Sequence, residues 1–165
     1  MKLGVFRLYI AVAVAVLVSV YAAADVPLLN SVMFGSGTLS EPVSVASSDF
    51  NGDTHPDLAV VNRVGETVSV FLGDGQGGFA VSSSYQVGTA PESIASADFN
   101  GDLAIDLVVC NGGTNSVQIL LGDGHGSFTD GASIATGTGP VSVTPCFLAG
   151  DSLVDLAVLC SDTDN

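Results

Sequence analysis

Apolar residues recur along the chain in short runs and alternations that are typical of β-strands. Four such segments follow one another in its middle: Val43–Ser47, Leu58–Asn62, Thr67–Leu72 and Phe79–Val87. The second begins with four apolar residues in succession, which predicts a buried strand, whereas the third alternates polar and apolar residues. Turn residues separate the segments, and 20 glycines with few aromatic residues favour an all-β protein.

The whole pattern repeats with a period of 49 residues. Asp49 returns as Asp98, and Gly52 returns as Gly101 and again as Gly150. Four short strands in a unit of this length predict one blade of a β-propeller. We expect repeats over about residues 30–78, 79–127 and 128–165, the last of them partial. The predicted fold is therefore an incomplete propeller, with two blades of four antiparallel strands and part of a third.

A nine-residue loop joins the first two strands of each full repeat and carries oxygen-bearing side chains at its positions 1, 3, 5 and 9. These side chains are Asp49, Asn51, Asp53 and Asp57, then Asp98, Asn100, Asp102 and Asp106. Alternate residues of a short loop can direct their oxygens at one hard cation, and glycine at position 4 permits the tight turn. His55 and Ala104, at position 7, would add a main-chain carbonyl each. We therefore predict two structural calcium ions.

The alternative interpretation is that Asn-Gly-Asp only forms a hairpin turn. Two copies with three carboxylates each favour calcium, because uncompensated carboxylates repel one another. The loop is not an EF-hand, since position 12 holds Val60 or Val109 and not a bidentate glutamate. In the third repeat the four positions hold Phe147, Ala149, Asp151 and Asp155. Two of the four oxygen ligands are missing there, so no closed third site is expected.

Several motifs together resemble FG-GAP/VCBS repeats, the blades of integrin-α-type propellers. They are the Asp-Phe-Asn-Gly-Asp loops, the Asp-Leu-Ala-Val that follows, the Leu-Gly-Asp-Gly-x-Gly-x-Phe turn and the Gly-Thr-Ala-Pro link. The resemblance covers about residues 30–165. It implies calcium bound at the hairpin between the first two strands, by the eight side chains named above.

The N-terminus predicts secretion. Lys2 and Arg7 precede an apolar stretch, Leu8–Val20, and Ala22–Ala24 forms a small-residue exit, so we expect a signal peptide at residues 1–24 and a mature region at 25–165. An uncleaved membrane anchor is less consistent with so short an apolar stretch.

The region beyond residue 24 is strongly acidic, with a single cation, Arg63, and 17 acidic residues. Such a surface argues against binding nucleic acid or anionic membranes.

No catalytic set is recognisable. His55 and His125 lie in different loops and are interpreted as solvated residues. Cys110 matches Val61 in the repeat, which predicts a small buried residue. An odd number of cysteines allows at most one internal disulfide, and a bridge between Cys146 and Cys160 is one possibility.

These features predict a secreted, calcium-binding propeller module that acts as a non-catalytic binding or adhesion scaffold for a protein or carbohydrate. The alternative is the non-catalytic propeller portion of a larger extracellular enzyme that acts on polysaccharides. Because propellers close with four to eight blades, the chain is expected to be a fragment or to self-associate through open blade edges.

Overall fold

The computed structural model describes residues 15–19, 31–35, 41–148 and 153–162. These residues form twelve β-strands and no helix: β1 Ala15–Ser19, β2 Ser31–Gly35, β3 Pro42–Ser48, β4 Asp57–Asn62, β5 Thr67–Gly73, β6 Phe79–Gln86, β7 Pro91–Ala97, β8 Asp106–Asn111, β9 Ser116–Gly122, β10 Phe128–Ala135, β11 Thr138–Cys146 and β12 Asp155–Asp162. A membrane-crossing helix is accordingly not found in this part of the chain.

Two sheets of four antiparallel strands contain most of the described residues. The first has the order β3-β4-β5-β6 and the second has the order β7-β8-β9-β10, so each strand pairs with its neighbour in sequence. The registers are equivalent: Val45 lies opposite Val60 in the first sheet, as Ile94 lies opposite Val109 in the second. The prediction of all-β blades with four antiparallel strands is confirmed, and the predicted strand limits agree within about one residue.

Smaller sheets lie at both ends of the described chain. β11 pairs with β12, with Val143 opposite Val158, and this hairpin corresponds to the first two strands of a third blade.

The N-terminal sheet consists of β1 paired with β2. β1 lies inside the predicted signal peptide, whose other residues are outside the described ranges, so cleavage after Ala24 stays a prediction. The expected repeat limits at residues 78 and 127 fall just before β6 and β10, the fourth strands of the two sheets.

The second strand of each large sheet is buried along its whole length. Every residue of β4 and of β8 is buried, whereas β6 and β10 at the outer edge are largely exposed. This difference explains the sequence pattern, because a strand covered on both faces needs apolar residues in succession. Each such valine or leucine contributes about 1.5–3 kcal/mol when fully buried.

The two large sheets pack face to face through one apolar core. Its buried members are Phe50, Ala59, Val61, Val68 and Val70 from the first repeat and Ile94, Leu107, Val109, Leu120 and Phe128 from the second. The Phe128 ring makes edge-to-face contacts with Phe50 and Tyr85, with centroids 5.5 and 5.6 Å apart. Polar contacts also cross this interface, including an ion pair of 2.8 Å between Arg63 and Glu92.

A second core joins the second sheet to the third. Val108, Cys110 and Val117 are buried against Val143 of β11, and Leu156 and Val158 of β12 pack on the same cluster. Successive sheets therefore stack through their faces, which is the arrangement of propeller blades.

Candidate metal centre

The first nine-residue loop connects β3 to β4 and is organised around the carboxylate of Asp49. Its Oδ1 accepts hydrogen bonds from the amides of Gly52 at 2.7 Å and Asp53 at 3.2 Å, and its Oδ2 accepts one from Thr54 at 2.7 Å. A carboxylate that accepts several main-chain amides holds a loop in one conformation. Asp49 therefore shapes the loop, in addition to being a predicted ligand.

Asn51 and Asp53 extend the same network. Asn51 Oδ1 accepts the Asp53 amide at 3.0 Å, and Asn51 Nδ2 donates to Asp53 Oδ2 at 3.0 Å. Asp53 Oδ1 accepts the His55 amide at 2.8 Å and lies 3.4 Å from His55 Nδ1. The side chains at positions 1, 3 and 5 thus lie along one loop with their oxygens turned towards its backbone.

The backbone of the loop includes two residues with left-handed conformation. Gly52 has φ of 77°, which explains glycine at position 4, and Thr54 has φ of 69°. A threonine rarely adopts this region. The bond from the Thr54 amide to Asp49 offsets part of that strain. Leu103 occupies the same position of the second loop with φ of 73°.

Asp57, at position 9, has a different environment from the other acids. Its side chain is fully buried, and it accepts the Phe50 amide at Oδ2 and the Gly73 amide at Oδ1, both at 2.8 Å. Gly73 is the last residue of β5. Asp57 therefore links the start of the loop, the start of β4 and the end of β5.

The second loop, between β7 and β8, repeats this geometry. Asp98 accepts the amides of Gly101 at 2.7 Å and Leu103 at 2.9 Å. The buried Asp106 accepts the Phe99 amide at 2.9 Å and the Gly122 amide at 2.8 Å. Asn100 and Asp102 are bonded to each other as Asn51 and Asp53 are. Ala104 replaces His55, and its amide bonds to Asp102 Oδ1 at 2.8 Å.

The third loop keeps only part of the arrangement among its described residues. Asp155 Oδ2 accepts the Leu148 amide at 2.6 Å, which corresponds to the bonds from Asp57 to Phe50 and from Asp106 to Phe99. Phe147, at position 1, is 68% exposed. Ala149 and Asp151 lie outside the described residues. In the third loop, the carboxylate at position 9 therefore keeps its hydrogen bond to the main chain, although position 1 no longer carries an oxygen-bearing side chain.

The loop amides also determine the charge of the acidic side chains. The His55 amide is the main reason that the pKa of Asp53 lies below its ordinary value of 3.8. The Leu103 amide does the same for the pKa of Asp98. Both groups are therefore ionised at neutral pH, the state in which a carboxylate binds calcium.

The donors fit calcium in kind, because every side-chain candidate is a hard oxygen ligand. No three Asp, Glu, His or Cys side chains in the described parts of the chain lie together in a way that could hold a metal. A bound cation would therefore also have to draw on the Asn51 or Asn100 amide oxygen and on main-chain carbonyls. The four side-chain positions of each loop share one hairpin, but their carboxylates do not converge.

The glycine-rich turns between the third and fourth strands are held in the same way as the loops. Asp74 Oδ1 accepts the amides of Gln76 at 2.7 Å and Gly78 at 2.8 Å. Asp123 accepts those of His125 at 2.8 Å and Ser127 at 3.0 Å. The prediction that these segments are turns is confirmed, since they connect β5 to β6 and β9 to β10.

Sequence reasoning missed that the second glycine-rich turn contacts the first loop. The Gly126 amide donates to the Phe50 carbonyl oxygen at 2.9 Å. Gly126 has φ of 85°, a conformation that favours glycine, and a Cβ there would lie 3.0 Å from the Leu72 side chain. Phe50 and Gly126 are far apart in the sequence, and no local pattern predicts that they meet. A glycine can nevertheless indicate a position where another segment approaches the backbone closely.

Acidification should weaken the fold through the aspartates of these turns. The Gln76 amide is the main cause that lowers the pKa of Asp74, and the His125 amide is the main cause for Asp123. Because the pKa of such a carboxyl group is lower in the folded protein than in the unfolded chain, the ionised group stabilises the fold at pH values above its ordinary pKa of 3.8. This stabilisation is lost as the pH falls through the pKa of the folded state. We expect Asp123→Asn to flatten the fall of melting temperature between about pH 5 and about pH 3.

The charge-matched control is Asp130→Asn, because Asp130 lies on β10 outside the turns and the loops. Its melting temperature should depend on pH as steeply as that of the wild type. Equal slopes in all three proteins would contradict the role assigned to the Asp123 carboxylate.

The bridge between Cys146 and Cys160, which the sequence left open as one possibility, is not formed in this structure. Cys146 lies opposite Asp155 at one end of the β11–β12 hairpin, and Cys160 lies opposite Pro140 near the other. Five residues of strand separate the two positions, about 17 Å. All three cysteines are free.

Comparison with known protein families gives two overlapping matches. A sequence model described as an FG-GAP-like repeat matches residues 49–109 and again residues 98–158. Together the matches cover about two thirds of the chain. Each begins at the first aspartate of a nine-residue loop and ends in the second strand of the following sheet. A search of curated proteins found no match.

Proposed function

The chain belongs to the FG-GAP-like repeat family, and on that premise we propose that it is a secreted, non-catalytic binding module of the β-propeller type whose hairpin loops take up calcium. The observation that carries the calcium proposal is the duplication of one loop geometry. Asp49 and Asp98, Asn51 and Asn100, and Asp53 and Asp102 adopt equivalent hydrogen bonds on equivalent hairpins. A turn alone does not need three oxygen-bearing side chains at alternate positions.

Calcium bound at these loops would have a structural role. It would cross-link positions within one hairpin and offset the repulsion between neighbouring carboxylates. Asp57 and Asp106 are committed to main-chain amides at both oxygens, so they support the site and keep only their remaining lone pairs for a cation. The best ligand candidates are therefore positions 1, 3 and 5, with the carbonyls of His55 and Ala104.

The non-catalytic part of the proposal rests on how the carboxylates are used. The loop and turn aspartates accept main-chain amides, and the pKa values of Asp53, Asp74, Asp98 and Asp123 lie below the ordinary value. A general acid near neutral pH requires the opposite shift. With 17 acidic residues and Arg63 as the single cation beyond residue 7, a protein or carbohydrate is a better partner than nucleic acid.

Calcium titration followed by equilibrium dialysis tests the metal proposal. We expect saturable binding of about two ions per chain, with dissociation constants of roughly 10⁻⁴–10⁻³ M, as in extracellular modules. Asp53→Asn should remove one ion and Asp102→Asn the other, because each change removes one ligand charge from an exposed part of a loop. Asp130→Asn, which removes the same charge outside the loops, should keep both.

Circular dichroism of each variant shows whether it remains folded. Binding that does not saturate in a folded wild-type protein would refute the calcium proposal. Loss of both ions in Asp130→Asn would show that binding reflects the overall charge and not the loops.

The binding role is tested by presenting the protein to immobilised polysaccharides and extracellular matrix proteins, with calcium and with chelator. We expect retention on one class without chemical change of it. Release of new reducing ends from a polysaccharide would contradict the non-catalytic proposal.

A further inference from the structure

Two cysteines from different sheets lie at the interface between the second and third sheets. Cys110 on β8 is fully buried in the cluster that contains Val117 and Val143. Val143 belongs to β11 of the third sheet, so the Cys110 side chain faces that sheet.

Cys160 reaches the same interface from β12. Leu156 and Val158 of β12 pack on the cluster that includes Cys110. Side chains two residues apart on a strand lie on the same face of the sheet. The Cys160 side chain therefore lies on the same face of β12 as those of Leu156 and Val158. It is partly buried, which leaves it open to reagents in solution.

Main-chain positions next to the two cysteines also lie close together. Cys160 pairs with Pro140 across the β11–β12 hairpin. A Cβ at Gly112, two residues after Cys110, would lie 3.5 Å from the Pro140 carbonyl oxygen. The segment after Cys110 therefore approaches the strand partner of Cys160.

The ionisation of Cys110 is consistent with this placement. Burial, and to a lesser degree the neighbouring Cys160 thiol, raises the pKa of Cys110 to about 11. Cys146 lies at the other end of the β11–β12 hairpin, opposite Asp155.

We propose that Cys110 and Cys160 form a disulfide bond that joins the second and third sheets under oxidising conditions. The oxidant considered is a small-molecule disulfide such as oxidised glutathione. The Cys160 thiolate attacks one glutathione sulfur, which forms a mixed disulfide and releases one reduced glutathione. Cys110 then loses its proton to solvent, attacks the Cys160 sulfur and releases the second glutathione, which takes up a proton.

This order follows from the environments of the two thiols. Cys160 is accessible and reacts first, whereas burial keeps Cys110 protonated and slow. The mixed disulfide at Cys160 should therefore accumulate before the internal bond appears. The completed bond would close a segment of about 50 residues, for which the chain-entropy model predicts a melting temperature about 10 °C higher.

Peptide mapping of the oxidised full chain tests the proposal. Cleavage before aspartate separates the three cysteines into peptides 106–122, 130–150 and 155–161. We expect peptides 106–122 and 155–161 to be linked in the non-reduced digest and to separate on reduction. Peptide 130–150, which contains Cys146, should stay unlinked. Trypsin is unsuitable, because no Lys or Arg follows Arg63.

Three variants make the result specific. Cys146→Ser should keep the link and the rise in melting temperature. Cys110→Val, which introduces the residue found at Val61 in the matching position, should abolish both while preserving the packing. Cys160→Ser should abolish the link and also prevent the early glutathione adduct.

The proposal is overturned if a folded, oxidised protein shows a link through Cys146. It is also overturned if the glutathione adduct at Cys160 persists without reaction of Cys110. Circular dichroism before digestion shows that the protein was folded in each case.

Discussion

Replacing Asp57 with alanine is expected to lower the free energy of unfolding by about 3–6 kcal/mol, whether or not calcium is present. The Asp57 carboxylate is fully buried and accepts the amides of Phe50 and Gly73, both at 2.8 Å. A hydrogen bond to a charged group contributes about 1.5–3 kcal/mol, and alanine leaves both donors without a partner. The change would free the loop from β4 and β5 at once.

Urea unfolding followed by far-ultraviolet circular dichroism measures this loss, since the chain has no tryptophan for fluorescence. Asp57→Asn should lose about half as much, because one amide oxygen can still accept one of the two donors. Asp106→Ala should behave as Asp57→Ala does, since Asp106 bonds to Phe99 and Gly122 in the same way. The control is Asp53→Ala, whose exposed side chain bonds only within the loop.

Chelation separates the structural role of Asp57 from a role in metal binding. If Asp57→Ala were destabilising in calcium but neutral in chelator, the carboxylate would act through the cation and not through the amides. Retention of the main-chain bond by Asp155 in the third loop supports the amide role.

Replacing Phe128 with alanine is expected to cost about 3–5 kcal/mol, the usual loss for a buried phenylalanine. Its ring lies in the core between the first and second sheets, in edge-to-face contact with Phe50 and Tyr85. Its amide also donates to Tyr85 Oη at 3.0 Å. The substitution would therefore loosen the contact between sheets more than the second sheet itself.

The matched control for Phe128 is Phe79, which occupies the same position of the first repeat. Phe79 is only partly buried and packs on a smaller cluster of Leu58, Val60 and Phe71. Phe79→Ala should cost clearly less in the same urea titration. Equal losses would mean that the contact between the first and second sheets does not depend on Phe128.

The fold was predictable because its information is local and repeated. The run from Leu58 to Val61 and the alternation from Thr67 to Leu72 predicted strands that the structure contains. The period of 49 residues then predicted equivalent sheets, since each unit repeats the same burial pattern. The left-handed residue Thr54 was not predictable, because only the bond from its amide to Asp49 explains that conformation.

The candidate site was predictable in its residues but not in their roles. Spacing alone placed Asp49, Asn51, Asp53 and Asp57 together as four equivalent ligands. The structure separates them: Asp57 is buried against Gly73, 16 residues away, whereas Asp53 is exposed beside His55. Burial depends on which strand covers a side chain, and that strand is distant in sequence.

The sequence by itself determined the all-β class, the four-strand unit, the position of the hairpin loops and their oxygen-rich chemistry, because each depends on residues within one repeat. Only the tertiary structure decided how repeats meet. It placed Gly126 on the first loop, Phe128 between Phe50 and Tyr85, and Cys110 in one cluster with Leu156 and Val158, which share a strand with Cys160. These contacts join residues about 40 to 80 positions apart, and packing of side chains between sheets selects them.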